Sequence, residues 1–425
     1  MKAEKFNIVN YRGASSLQLE FDDRLNVFYG VNGAGKSTVL DAIAIMLSWV
    51  VSRIRHSGIS GRFILERDIK NGTSSSSLEM ISSSEARKIS WKLIKNKKGY
   101  AGSGEKSDFQ NLSDLTKGIQ ARITEQSGLI NLPVLIYYPV NRAVLDIPLR
   151  IREKYSFDLL AAYDDALTTG ANFRTFFEWF REREDLENEN RKYIEQLFKP
   201  EGFQFPDPQL EAVRSGLAQF LPEFSNLTVR RNPLRMEVEK DGKRLTVNQL
   251  SDGEKCLIAL IGDLARRMAI ANPASDNPLH GSGIILIDEI DLHLHPKWQR
   301  MVVPRLLEIF PNCQFIISTH SPHILTHVRP ENLFLLKQTD KGIVVEKPNE
   351  SYGKNVDRIL EDLMGLDTTR PDAVDSSLQK VFQTINDGQL ESAHAQIEKL
   401  RTQIGQDPEL VKAEVLIKRK GIIGK

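Results

Sequence analysis

The chain has 425 residues, 40% hydrophobic and 27% charged, and 57 basic against 56 acidic side chains leave a formal charge of +1. That is the make-up of a globular protein with room for two or three compact units, and it excludes a disordered or fibrous chain. It also excludes any bulk electrostatic attraction to nucleic acid or to an anionic membrane, so a basic patch would have to be local.

The N-terminus, Met1-Lys2-Ala3-Glu4-Lys5, leads into an alternating pattern with no apolar leader, so no signal peptide is expected. Strands are predicted over Lys5–Asn10 and Ser16–Phe21, joined through the turn Asn10-Tyr11-Arg12-Gly13, and a third over Leu25–Tyr29. Gly30-Val31-Asn32-Gly33-Ala34-Gly35-Lys36-Ser37 follows, and Thr38 to Val51 reads as an apolar helix. The apolar run Val39–Val51 contains Asp41 and is too short to span a bilayer, so a cytoplasmic protein without a membrane partner is expected. Cys256 and Cys313, both in apolar surroundings, suit buried thiols in a reducing compartment.

Between about 52 and 130 the pattern weakens. Thr73–Ser77 and Lys95–Gly104 read as loops around short strands such as Ser90–Lys95. Pro133–Val140 is a β-rich apolar run ending at Asn141 and Arg142. From Phe157 to about Phe220 the chain turns helical and charged. Phe173, Phe176, Phe177 and Phe180 fall at i, i+3, i+4 and i+7, a stripe that packs a core far more often than it stacks bases. Strands resume at Leu227–Val229 and Arg235–Lys240, with a hairpin through Asp241-Gly242, and near Leu333–Lys337 and Gly342–Glu346. A helical tail carries Val356–Met364, Asp375–Asn386 and Leu390–Ile404. The expected divisions are a first lobe at 1–150, a helical insertion at 151–225, a second lobe at 226–345 and the tail at 346–425.

The glycine-rich stretch fits G-x-x-x-x-G-K-[ST] in a strand–loop–helix context, which makes it a nucleotide site for ATP with Mg²⁺. The backbone of Asn32, Gly33, Ala34, Gly35 and the first helical residues through Thr38 offers N–H groups to phosphate oxygens. Lys36 can reach the β- and γ-phosphates, and the Ser37 hydroxyl can ligate Mg²⁺. Ile284-Ile285-Leu286-Ile287-Asp288-Glu289 reads as a buried parallel strand ending in two acids, at the edge where ligands bind in α/β sheets. Asp288 is placed for the Mg²⁺ shell and Glu289 to orient or deprotonate the attacking water. Ser251, three residues before Glu254, makes a capping box for the helix Lys255–Met268, and the same helix end can serve as a second anion site. His320 follows the short strand Cys313–Ile317, where a neutral imidazole can donate to a γ-phosphate. Asp291, His293 and His295 share a face if extended, but no further ligand cluster supports a metal there.

Leu250-Ser251-Asp252-Gly253-Glu254 resembles the signature motif of ABC-type ATPases, in the order that class uses: after the phosphate loop and before the acidic strand. The resemblance implies an α/β head, a mixed sheet with flanking helices, carrying a helical insertion and a helical tail. It implies that two protomers sandwich two ATPs, with Ser251, Gly253 and Glu254 acting on the nucleotide held by Lys36 of the other protomer. His320 in Ser318-Thr319-His320-Ser321-Pro322 resembles the switch histidine of the class. Arg12 in Tyr11-Arg12-Gly13 resembles the early basic turn of SMC-like and RecF-like ATPases, which approaches the phosphates; the alternative is a surface arginine. No Q-loop glutamine is assignable, and Asn141 or Arg142 is its stand-in. The segment from Glu289 to Pro296 resembles the RecF-like and OLD-like branch, where it contacts the opposite protomer.

Long coiled coils of the SMC kind and a nuclease domain of the OLD kind are both missing from the pattern. Tyr352–Leu360 with Met364-Gly365, Gly405–Leu410 and Tyr137–Arg142 resemble the PtuA-like ATPases of Septu systems and retrons. That resemblance implies a homodimer or higher homo-oligomer and an ATPase controlling a separately encoded HNH nuclease in anti-phage defence, with DNA or retron nucleic acid as a further partner. The alternative is a RecF-like ATPase that clamps DNA itself through Arg142, Arg150, Arg152 and Lys154, Arg230, Arg231 and Arg235, or Arg266 and Arg267. A structural scaffold with a degenerate site is a third reading, against which Lys36, Asp288, Glu289 and His320 all stand.

Overall fold

A computed structural model describes residues 1–84, 87–100, 104–126, 129–140, 157–168, 173–196, 198–200 and 203–423. Asn141, Arg142, Arg150, Arg152 and Lys154 lie outside them. The described chain forms two compact units, Met1–Lys354 and Asn355–Lys425.

In chain order the first unit holds β1 (Lys2–Tyr11), β2 (Ala14–Glu20), β3 (Leu25–Tyr29), α1 (Lys36–Arg55), β4 (Ser75–Ser84), β5 (Arg87–Asn96), α2 (Gln110–Glu125) and β6 (Val134–Tyr138). It continues with α3 (Phe173–Arg191), α4 (Pro208–Phe220), β7 (Phe224–Arg231), β8 (Leu234–Lys240), β9 (Lys243–Thr246) and α5 (Asp252–Ala271). Then come β10 (Gly283–Ile287), α6 (Pro296–Ile309), β11 (Cys313–Ser318), the one-turn α7 (Pro322–Leu325), β12 (Leu333–Thr339) and β13 (Gly342–Glu346).

The central sheet runs β13-β12-β3-β11-β10-β6. All its neighbours are parallel except the β12–β13 hairpin. β3, β6, β10 and β11 are buried along their whole length, as continuous apolar runs in a doubly covered parallel sheet must be. Register sets Phe28 beside Ser318 and Ile287 beside Ile317, so the carboxyl ends of β3, β11 and β10 finish level. Ligands bind at such an edge.

A second, antiparallel sheet runs β2-β1-β4-β5 and a third runs β7-β8-β9. β4 corrects the loop expected at Thr73–Ser77. Its Ser76, Leu78, Met80 and Ser82 alternate into the core, and pairing with β1 and β5 on both sides supplies what serine's weak strand preference does not. α2, which no periodicity announced, covers α1 and β5 with only Leu112, Thr116 and Ile119 buried. The aromatic stripe is core: Phe173, Phe176, Phe177 and Phe180 are all buried. Asp241 and Gly242 both take positive φ in the β8–β9 turn, as the tight hairpin requires.

α1 is longer than the apolar run suggested. Among the described residues it is the one helix long and apolar enough to cross a membrane, and 72% of that window is buried in the protein's own core. Cys313 is buried and its thiol is pushed up to about 12 by desolvation, whereas Cys256 is only half-buried.

In the second unit, a single turn α8 (Val356–Arg358) runs into a wider turn over Ile359–Leu363 in place of the longer helix expected there. α9 (Asp372–Asn386), α10 (Leu390–Ile404) and α11 (Pro408–Ile423) follow. They share a core of Leu378, Val381, Ile385, Ala393, Ile397, Leu400, Leu410 and Ala413.

Candidate active site

The loop after β3 closes tightly, with Gly30, Gly33 and Gly35 all at positive φ. Gly35 stands at φ 102, a conformation that strains any residue with a side chain, and a Cβ there would also press on Ile343 of β13, 2.3 Å from its Cδ1. Gly35 ends the loop as the cap of α1, whose first turn carries no side-chain cap and no acid, which leaves its N–H groups to an anion. Lys36 is buried and its Nζ donates to the carbonyls of Gly30 (3.0 Å) and Val31 (3.1 Å), which folds the ammonium over the loop. Ala34 is buried, while Asn32, Gly33 and Ser37 face the solvent at the mouth.

Four strand ends, those of β3, β11, β10 and β6, are stitched together beside this loop. The N–H of Thr319 donates to Phe28 O (3.0 Å), that of Asp288 to Tyr138 O (2.8 Å) and that of Ile290 to Ser318 O (3.0 Å). Asp288 is buried, and the hydroxyl of Ser318, at the end of β11, donates to its Oδ1 in a short bond. The same hydroxyl oxygen accepts the N–H of Glu289 at 2.8 Å, holding Glu289 at φ 46. Nε2 of His320 lies 3.9 Å from Glu289 Oε1. The structure therefore brings Lys36, Asp288, Glu289 and His320 to one place.

Charge follows the geometry. Burial lowers the pKa of Lys36, while Glu289, Asp288 and Asp291 pull it back up. Burial and then the Lys36 charge hold His320 below its ordinary value, against Asp291, Glu289 and Asp288. Its imidazole is neutral near pH 7 and can donate an N–H.

Arg12 lies at φ 47 and is clamped by two carboxylates, Asp41 (2.7 Å) and Asp68 (2.9 Å). Asp41 lies four residues after Ser37, on the same face of α1, and also holds Arg62 (2.6 Å) and accepts from Tyr11 (3.2 Å). Tyr137, at the end of β6, senses the charges of Asp288, Asp41, Arg62 and Arg12, and burial pushes its phenol far up. Arg62 belongs to this edge, and nothing in the weakly patterned stretch around it pointed there.

The signature segment sits elsewhere in the unit. Ser251 caps α5 in a full capping box: Glu254 Oε2 accepts from Ser251 N (2.8 Å) and Oγ (2.8 Å), and Lys240 of β8 bonds Glu254 Oε1. Burial raises the pKa of Glu254, but the bonds from Lys240 and Ser251 outweigh it and hold the carboxyl below its ordinary value. A Cβ on Gly253 would lie 2.5 Å from His293 O and 3.4 Å from Trp298 Cζ3, so the loop after Glu289 passes directly over this glycine. The resulting cleft is lined by Lys240, Ser251, Gly253, His293, Lys297 and Trp298 among others, and by none of Lys36, Asp288, Glu289 or His320. His295 caps α6 by accepting Lys297 N–H at Nδ1 (3.2 Å), and no metal-holding cluster of His, Cys, Asp or Glu exists among the described residues.

Behind the site, buried Asp263 of α5 accepts from Arg266 (2.7 Å), Arg267 (2.8 Å) and the Tyr138 hydroxyl (3.0 Å). Burial alone would raise the Asp263 pKa, but the two guanidiniums outweigh it and hold the carboxyl low.

A phosphate loop, an acidic strand and a histidine strand side by side in one mixed sheet, with a signature helix elsewhere in the same unit, define an ABC-type ATPase head. The family described as "AAA domain, putative AbiEii toxin, Type IV TA system" matches residues 25–326, and this chain belongs to it. It is 32% identical over 395 residues to the retron Ec83 probable ATPase of Escherichia coli, covering 80% of this chain and 72% of that one. It is 31% identical over 420 residues to the retron Vc95 probable ATPase of Vibrio cholerae serotype O1 biovar El Tor, covering 85% and 78%. The Septu protein PtuA of Bacillus thuringiensis is 26% identical over 368 residues, covering 84% and 83%.

Proposed function

We propose that this chain is the ATP-driven regulator of a separate HNH-type nuclease in a bacterial anti-phage system. Two protomers, alone or within a larger assembly, close around two ATP molecules. The observation that carries this reading is the separation within one chain: the signature cleft around Ser251 and Gly253 has a lining that omits every residue of the phosphate site. In this reading the signature of a second copy completes the site. Likeness to retron and Septu ATPases supports the defence role.

In this reading Lys36, the loop backbone from Asn32 to Gly35 and the first turn through Thr38 bind the phosphates. Glu289 orients and deprotonates the attacking water, and His320 donates to the γ-phosphate. The hydroxyl of Ser37 and the buried carboxylate of Asp288 are the hard oxygen donors that Mg²⁺ prefers, and would hold it. Bound there, Mg²⁺ would neutralise charge on the β- and γ-oxygens. Ser251, Gly253 and Glu254 serve the partner's nucleotide, and Arg12 steadies the phosphate edge from its clamp on Asp41. The segment 346–425 carries none of these residues and is the docking surface for the nuclease or another protomer. We place the protein in the cytoplasm, and assign it no nuclease centre of its own.

The DNA-clamp alternative draws less support. Arg230 and Arg235 both pair with Glu237 (2.9 and 2.7 Å), Arg231 pairs with Glu184 and Asp185 (both 2.5 Å), and Arg266 and Arg267 are buried on Asp263. A pull-down of tagged Glu289→Gln protein from its native host, with ATP and Mg²⁺, separates the two. Stoichiometric recovery of a small HNH-type nuclease is the expected result. Salt-sensitive recovery of DNA without a protein partner would replace this reading with the clamp.

A further inference from the structure

We propose that Asp291 is a positioning residue for His320: one of its carboxylate oxygens fixes the backbone turn that aims the imidazole into the ATP site. The inference rests on the ATPase reading above and assigns a role to a residue that reading does not use.

The imidazole makes a distant approach to Glu289, 3.9 Å, so its aim depends on the backbone that carries it. Asp291 Oδ1 accepts from the Thr319 hydroxyl at 2.6 Å and from the His320 N–H at 3.2 Å. Thr319 is fully buried, and its hydroxyl oxygen in turn accepts the Ser321 N–H at 2.9 Å. The Ser321 hydroxyl donates to Gln299 Oε1 (2.7 Å), while Gln299 Nε2 donates to Leu294 O (2.8 Å), beyond Asp291 on the same loop. Residues 319–321 are thus held from both ends of the 289–296 loop, and at the histidine end the holder is a single oxygen. Charge-assisted bonds of this kind are the stronger class and are geometrically strict. A metal role for Asp291 is not needed to explain it: its Oδ1 is already committed to Thr319 and His320.

Loss of such an anchor acts on turnover more than on binding, because Lys36 and the loop that hold ATP are untouched. Small misplacements of a catalytic group can cost up to about 100-fold in rate. The test is a double-mutant cycle on steady-state ATPase of the full chain. Asp291→Ala is expected to lower kcat about 10- to 100-fold with KM for ATP little changed. The pair Asp291→Ala with His320→Ala is expected to be no slower than His320→Ala alone, because two residues acting as one unit are not additive. Asp291→Asn keeps the acceptor oxygen and should recover most of kcat. It also removes the charge that holds the His320 pKa up, so the acid limb of its pH profile should move to lower pH. That shift reads the Asp291 charge at His320, while the recovery of kcat and the non-additivity with His320→Ala read the positioning bond.

If Asp291→Ala fails to fold, Thr319→Val removes only the hydroxyl and should show the same fall in kcat and the same non-additivity with His320→Ala. Wild-type turnover in Asp291→Ala, or effects that multiply in the double variant, would overturn the proposal while leaving the ATPase site standing. Wild-type turnover in His320→Ala would remove both this proposal and the role given to His320.

Discussion

Replacing Ser318 by alanine removes one oxygen and two bonds at the centre of the site. The hydroxyl donates to the Asp288 carboxylate and accepts the Glu289 N–H, and the residue is fully buried, so water cannot readily take its place. A bond to a charged group contributes about 1.5–3 kcal/mol and a neutral one about 0.5–1.5 kcal/mol, so Ser318→Ala should cost about 2–4 kcal/mol. In a protein of this size that is a melting midpoint lower by about 2–5 °C. The kinetic loss should be larger than the stability loss suggests, since Asp288 and Glu289, which we propose hold the metal and activate the water, both lose their fixed orientation; about 10- to 100-fold in kcat is expected. Thermal denaturation followed by circular dichroism reads the first, and phosphate release at saturating ATP reads the second. A variant that melts with the wild type and turns over at the same rate would refute the reasoning, because it would mean that Ser318 holds neither group.

Gly253→Ala places a methyl 2.5 Å from His293 O, and overpacking of this kind costs about 1–3 kcal/mol. The 289–296 loop must yield, so hydrolysis should fall while ATP binding to the protomer, read by a fluorescent nucleotide, stays intact. Activity should also resist acid further than an ordinary histidine would allow. His320 is held below 6.5, so it is already neutral above that pH and becomes charged only as pH falls through its lowered value; the acid limb of kcat/KM should have its midpoint below 6.5. A midpoint at or above 6.5 would show that the imidazole is not desolvated as described.

The phosphate site could be read from the chain because it is local: Leu25–Tyr29 and Gly30–Ser37 are contiguous, with a short strand before the loop and an apolar run after it. Asp288 and Glu289 close a run of four aliphatics for the same reason. What holds these residues could not be read. Ser318 and Asp291 act on partners 28 to 30 positions away, and only the parallel register of β10 and β11 brings them there. Arg62 sits after α1 in a stretch without pattern, and Asp41 looked like a blemish in an apolar helix until it proved to hold Arg12, Arg62 and Tyr11. β4 was hidden because serines flank Leu78 and Met80, and a strand paired on both sides needs little propensity of its own. Ile343, which packs against Gly35, comes from more than three hundred residues away, which no local reading reaches.

The central claim is that one ATP site is completed by the signature of another protomer. Mixing Lys36→Ala protein, which keeps its signature, with Ser251→Arg protein, which keeps its phosphate loop, tests it directly by ATP hydrolysis. Each variant alone should be inactive. Random pairing makes half the dimers mixed, each with one intact composite site, so mixing should restore about a quarter of wild-type turnover. No recovery on mixing, with exchange of protomers confirmed by size or label transfer, would contradict the account and place the signature's action within its own chain.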